Sequence, residues 1–211
     1  MKLLKDCRLY VILDTGYVPR EGLLDMAKAV IRGGADILQL RAKMEKDHDI
    51  LQIAPPLRDI AAAAGVPLII NDRPHLAGQL DAAGVHIGQD DMTVEEARRQ
   101  LRKKGTVGKS THSIEQIEST LLEKPDYIGV GPVYATPTKP DYDPVGLNLV
   151  KEAAARVKIP FFCIGGIKLE NIDEVLAAGA TRVTVVSAIL LAKEPDAVTK
   201  QFKQKLLTRK K

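Results

Sequence analysis

At 211 residues, 45% hydrophobic and 27% charged, the chain has the composition of an ordinary globular protein, which excludes the disordered and membrane-spanning classes. The length suits one domain, residues 1–211, with an ample core. The net charge of +4 collects in the tail 200–211, where no aromatic residues interleave the lysines; this is a solvated helix end that can help attract anions, not a nucleic-acid surface.

The predicted elements alternate along the chain. Leu9 to Leu13 is an apolar strand followed by the turn Asp14-Thr15-Gly16. Glu21 to Ile31 is an amphipathic helix ended by Gly33-Gly34. A second strand starts at Ala35 and finishes in Arg41-Ala42-Lys43. Asp47 to Ala64 is helical, with Pro55-Pro56 predicting a kink or break. Val66 to Ile70 is an apolar run without alternation, which marks a parallel strand buried on both faces, and it ends abruptly in Asn71-Asp72 before Pro74. A short helix runs to Leu80, and Gly84 to Gly88 is a fourth strand leading into Gln89-Asp90-Asp91. Thr93 with Glu96 predicts a capping box for a helix to about Lys104, and Ser113 with Gln116 a second one for a helix to Glu123. Between them Thr106 to Lys109 is a weak fifth strand ending in Ser110-Thr111-His112. Tyr127 to Val130 is the sixth strand, followed by the long loop 131–146 and a helix from Leu147 to Val157. Pro160 to Ile164 precedes Gly165-Gly166, Asn171 to Ala178 is helical, and Arg182 to Val186 ends in Ser187. One last helix takes up the tail.

Eight strands alternating with eight helices in this length predict a single (β/α)8 TIM barrel. A doubly wound open sheet is the alternative, but its glycine-rich fingerprint is missing after the first strand. The two cysteines, Cys7 and Cys163, lie in or beside apolar segments and read as buried free thiols of a reducing compartment. Residues 1–14 contain no apolar leader and no apolar run reaches about 18 residues. The expected location is cytoplasmic, with no membrane or nucleic-acid partner.

In such a barrel the strand C-termini share one rim, so the residues there can be read together. Arg41 and Lys43 suit phosphate oxygens. Asp72 and Asp91 end neighbouring strands, and two converging carboxylates call for a hard cation such as magnesium shared with substrate phosphates. Each also has a plainer reading, Asp72 as a helix cap and Asp91 as a charge complementing a helix dipole. Thr136-Pro137-Thr138-Lys139 occupies the longest loop, where hydroxyls and an ammonium can reach a ligand. Gly165-Gly166 and Val186-Ser187, after strands seven and eight, stand at the usual barrel phosphate site. His86, between Val85 and Ile87, reads as a packed, hydrogen-bonded side chain. His112 is ambiguous. Two anion sites with a hard cation argue for chemistry on a diphosphate opposite a second phosphorylated substrate.

These residues carry a resemblance that covers nearly the whole chain. Gln39-Leu40-Arg41-Ala42-Lys43, Asn71-Asp72-Arg73, Val85 through Met92, Ser110-Thr111-His112, Gly129 through Tyr134, Thr136 through Lys139, Ile164 through Ile167 and Val185 through Ile189 are together similar to the thiamine-phosphate synthase family. The resemblance implies a transferase that joins 4-amino-5-hydroxymethyl-2-methylpyrimidine diphosphate to a thiazole phosphate and releases pyrophosphate. It further implies that Gln39, Arg41, Lys43, Asn71, Ser110 and Lys139 hold the diphosphate substrate, with Leu40 and Ala42 in the same stretch. Asp72 and Asp91 would hold Mg2+. Thr136, Pro137, Thr138, Gly166, Val186 and Ser187 would hold the thiazole phosphate. Arg41, Lys43, Lys139 and Ser110 would be catalytic in a dissociative reaction with no protein nucleophile.

The chain departs from the family pattern at Ala42, where an acidic residue is usual, at Lys109, where a small or apolar one is, and at Leu13, which replaces a hydroxyl. The alternatives are a thiazole tautomerase paralogue, which lacks the Asn-Asp pair and the Thr-Xaa-Thr-Lys loop, a phosphosugar isomerase or epimerase on the same barrel, and a non-catalytic binder of thiamine precursors. Homo-oligomerisation stays open.

Overall fold

A computed structural model describes residues 3–101, 105–138 and 143–208. Eight short apolar runs form eight parallel strands, β1 (Leu9–Asp14), β2 (Ile37–Arg41), β3 (Leu68–Asn71), β4 (Gly84–Ile87), β5 (Thr106–Thr111), β6 (Tyr127–Val130), β7 (Phe161–Cys163) and β8 (Val183–Val185). They close in sequence order, with β8 pairing back onto β1 at Leu9 and Val183. Between and after them run α1 (Arg20–Arg32), α2 (Asp47–Ala63), α3 (Pro74–Gln79), α4 (Val94–Gln100), α5 (Ile114–Leu122), α6 (Gly146–Arg156), α7 (Ile172–Ala177), α8 (Ser187–Leu190) and α9 (Pro195–Thr208). The expected barrel is therefore present, and the expected single last helix is two, a short one after β8 and a long one beyond it. No helix among the described residues is long and apolar enough to cross a membrane.

The strands are buried on both faces because helices cover the outside and side chains fill the inside. Tyr10, Tyr127 and Phe162 meet edge to face in the interior, with ring centroids 5.4–6.0 Å apart. Gly108 makes room for them, since a Cβ there would fall 2.1 Å from the Tyr127 ring. At the opposite, N-terminal end of the barrel the buried carboxylate of Asp36 accepts from the backbone of Arg8 and Leu9 and pairs with Lys203, tying α9 to β1.

Two local expectations differ from what is observed. Helix α2 runs unbroken through Pro55 and Pro56. Two missing N–H donors remove only two rungs of its ladder, while Ile50, Ala54, Leu57 and Ala61 press one continuous stripe into the core on both sides of the prolines. The Thr93–Glu96 capping box forms in full, but at Ser113 only half of one does. Gln116 turns its side-chain oxygen to the backbone N–H of His112 at 2.7 Å rather than to Ser113. The predicted helix end near Lys104 lies outside the described residues; α4 itself closes at Gln100. Neither Cys7 nor Cys163 forms a disulfide and both are buried, as expected, and burial pushes the Cys163 thiol up to about 12.

Candidate active site

Each strand leaves its last inward-facing residue at the C-terminal rim, and there the rim opens into two adjoining lobes. One lobe lies over β2 to β5 and is lined by Arg41, Lys43, Asn71, Asp72, Asp90 and Asp91 among others. The second reaches across to β6, β7 and β8 and is lined by Thr136, Pro137, Thr138, Gly165, Gly166, Val186 and Ser187. Arg41, Asn71, His86, Ser110 and His112 line both, so they form the shared wall.

The charged side chains of the first lobe engage one another. Arg41 meets Asp14 at 2.5 Å, and Lys43 meets Asp72 at 2.6 Å. Asp14 is 3% exposed and also accepts from the backbone N–H of Gly16. By sequence alone Asp14 reads only as a turn residue. The signal was its place at a barrel strand end, directly beside Arg41 in the β1–β2 register. Asp72 sits at φ 59, in the left-handed region, with its N–H donating to the carbonyl of His86; aspartate is among the few non-glycine residues that adopt it readily. Asp91 faces the same lobe from the β4–α4 loop and accepts from the N–H of Gly88 at 2.5 Å. Arg73 braces the loop that carries Lys43, donating to the carbonyls of Ala42 and Glu45 at 2.9 Å each.

A hydrogen-bonded chain runs beneath the shared wall. The Gln39 amide donates to the Tyr10 hydroxyl at 2.7 Å, Tyr10 meets Tyr127 at 3.1 Å, Tyr127 meets His86 Nδ1 at 3.0 Å, and His86 Nε2 meets Ser110 Oγ at 2.9 Å. Burial raises the pKa of both phenols, so each keeps its single proton. Gln39 donates into the chain at one end, and the sense of the hydrogen bonds beyond Tyr10 follows the tautomer of His86. His86 thus joins the buried phenols to Ser110, and both His86 and Ser110 line the two lobes. His86 is packed and hydrogen-bonded, as its neighbours suggested, yet it also lines both lobes. The alternation of β4 turns it away from Val85 and Ile87, but does not show that the cavity reaches down to this level. His112 is fixed differently: its Nδ1 donates to the carbonyl of Gly131.

The second lobe is made mostly of backbone and hydroxyls. Gly166 has φ 62, and a Cβ there would come 2.6 Å from the carbonyl oxygen of Ala135. Asn171 staples the turn, donating to the Gly166 carbonyl at 2.9 Å and accepting from the Lys168 N–H at 2.7 Å. Tyr17 reaches from the β1 loop to the Thr138 hydroxyl at 2.9 Å. Lys168, which sequence reading passed over, lines this lobe from an exposed position.

Of the residues expected at the site, Gln39, Arg41, Lys43, Asn71, Asp72, Asp91, Ser110, Thr136, Pro137, Thr138, Gly166, Val186 and Ser187 all line one lobe or both. Leu40 and Ala42 are buried and line neither, because the period-two alternation of β2 turns Gln39 and Arg41 inward and Leu40 outward. Lys139 lies outside the described residues. Among the described residues no group of three or more His, Cys, Asp or Glu gathers around a common point.

Comparison with known proteins identifies a family. Residues 9–189 match the family described as thiamine monophosphate synthase. The thiamine-phosphate synthase of Thermus thermophilus is 43% identical, over 94% of this chain and 97% of its own length. That of Thermosynechococcus vestitus is 38% identical over 98% of this chain, which spans only 58% of that longer relative. Among solved structures, a thiamine phosphate pyrophosphorylase from Pyrococcus furiosus superposes with a TM-score of 0.89 at 29% identity, covering 98% of each chain. Both the rim residues and this likeness across almost the full length lead to the same place: the chain belongs to the thiamine monophosphate synthase family.

Proposed function

We propose that the protein is a thiamine-phosphate synthase, a transferase acting on two small phosphorylated substrates, with the whole chain 1–211 serving as one domain. The observation that carries this reading is the shared wall, because a diphosphate held in the charged lobe and a phosphorylated acceptor held in the backbone-rich lobe would meet at it. In this reading Arg41, Lys43 and Lys139 hold the diphosphate of 4-amino-5-hydroxymethyl-2-methylpyrimidine diphosphate. Gln39, Asn71 and Ser110 orient its pyrimidine. Thr136, Pro137, Thr138, Gly166, Val186 and Ser187 receive the thiazole phosphate, and Lys168 adds a cation at that end. Leu40 and Ala42 act through the backbone, Ala42 by the carbonyl that Arg73 grips.

The donor set fits magnesium. Mg2+ favours oxygen ligands and is commonly held by one or two carboxylates plus substrate phosphates and water, not by an all-protein cage. Asp72 and Asp91 on one lobe supply such a pair. When bound there, the ion would supply charge neutralisation to the diphosphate. The bond between the pyrimidine methylene and the diphosphate oxygen breaks with its electron pair leaving on oxygen, and the thiazole nitrogen then donates its lone pair to the methylene cation. No side chain has to attack. Arg41 and Lys43 stabilise the negative charge that develops on the leaving group, while Gln39 and Ser110 hold the ring so that the methylene faces the incoming nitrogen.

Incubation of the purified protein with both substrates and magnesium tests the proposal. Thiamine phosphate and pyrophosphate should form in equal amounts. Isomerisation of the thiazole without coupling would identify a tautomerase instead, and binding without product a non-catalytic protein.

A further inference from the structure

The carboxylate of Asp91 hangs on the loop between β4 and α4, and what fixes that loop lies outside the cavity. Lys109, in β5, is 4% exposed and is the only buried lysine or arginine among the described residues. Strand alternation turns its neighbour Ser110 to the cavity and Lys109 to the opposite face, under the helices. There its ammonium donates to the carbonyl of Met92 at 3.1 Å and to Glu123 Oε1 at 2.8 Å. The second oxygen of Glu123 accepts from the N–H of Val94 at 2.7 Å.

One ion pair, anchored on β5 and at the C-cap of α5, thus grips the loop twice. It holds the residue that follows Asp91, and it holds the first residue of α4. A buried pair of this kind stabilises a fold weakly, since desolvation offsets much of the attraction and apolar residues of similar volume are often as good. What apolar residues cannot supply is a donor for one backbone carbonyl and an acceptor for one backbone N–H of the same loop. We infer that Lys109, directly at Met92 and through Glu123 at Val94, is a positioning residue that aims the Asp91 carboxylate and so sets the cation affinity of the site. This rests on the function proposed above, because it takes Asp91 as a cation ligand.

The test is a Mn2+ titration followed by electron paramagnetic resonance in the presence of pyrophosphate, on the wild type, Lys109→Met and Asp91→Ala. It is paired with the magnesium dependence of product formation and with the KM for thiazole phosphate. Lys109→Met should weaken Mn2+ binding by about tenfold, the scale of outer partners of metal ligands, and raise the magnesium concentration for half-maximal rate in parallel. The KM for thiazole phosphate should not move. A loss of fold alone would lower the active fraction and leave the cation affinity of the remainder unchanged.

Mn2+ affinity within about twofold of wild type in folded Lys109→Met overturns the inference against that scale, as does wild-type binding by Asp91→Ala. Should Lys109→Met not fold, Glu123→Gln decides in its place, with the same weakening expected and unchanged affinity overturning the idea. A wild type that binds Mn2+ through Asp91 but makes no thiamine phosphate would sink the functional reading and leave the role of Lys109 to be judged on the titration.

Discussion

On the β2–β4 side, the cavity wall carries charged side chains that are held in pairs, Lys43 with Asp72 and Arg41 with Asp14 of β1. On the β7–β8 side it is mostly backbone and hydroxyls, with Gly165 and Gly166 pressed so closely against Pro132 and Ala135 that no side chain fits. In the proposed reading the first half acts through full charges, which can be removed one at a time. In the same reading the second acts chiefly through shape, which a single methyl group can spoil. That difference predicts different failures on mutation.

The largest effect should come from removing a charge on the first side. Asp72→Asn keeps a residue that tolerates φ 59 and removes the carboxylate, so a fall in kcat of about 10²-fold or more, the scale of a lost electrostatic contact to the reacting groups, is expected with an unchanged melting point. Near-normal turnover would mean that the carboxylate pair is not the cation site. On the second side, Gly166→Ala should leave the binding of the diphosphate substrate alone and raise the KM for thiazole phosphate by about tenfold or more, since displacements near 1 Å are costly in a positioned site. Equal losses for both substrates would erase the distinction between the halves.

The smallest effect concerns the cap of α4, which follows the Asp91 loop. The backbone N–H of Thr93, and then its hydroxyl, hold the Glu96 carboxyl below the usual carboxylate range. A depressed folded pKa adds stability above the ordinary carboxylate pKa, and that stability fades as pH falls through the depressed value. The melting point of Glu96→Gln should therefore lie below that of wild type near neutral pH and converge with it on strong acidification. A gap independent of pH would assign the cap to packing.

Much of this was legible in the sequence because it is written locally. Apolar runs that end in polar residues gave the strands and their rim, and the Thr93–Glu96 spacing gave a helix start. What escaped depends on which strand lies beside which. Asp14 gains meaning only next to Arg41, His86 only beneath Ser110, and Lys109 only against Met92 and Glu123. The motif Gln39 to Lys43 invited an unbroken row of contacts, whereas a strand shows the cavity every second residue and leaves Leu40 to the core. The local cost of the paired prolines of α2 predicts a break, and the stripe that holds the helix down on either side outweighs it.

The contact between Lys43 and Asp72 has a consequence for the order of events at the rim. In the proposed reading, a diphosphate that draws the ammonium away releases the carboxylate for a cation, and a cation that takes the carboxylate releases the ammonium for a diphosphate. Each arrival removes an obstacle to the other, so the two should bind with positive cooperativity. Thermodynamic linkage requires the enhancement to be the same factor whichever comes first.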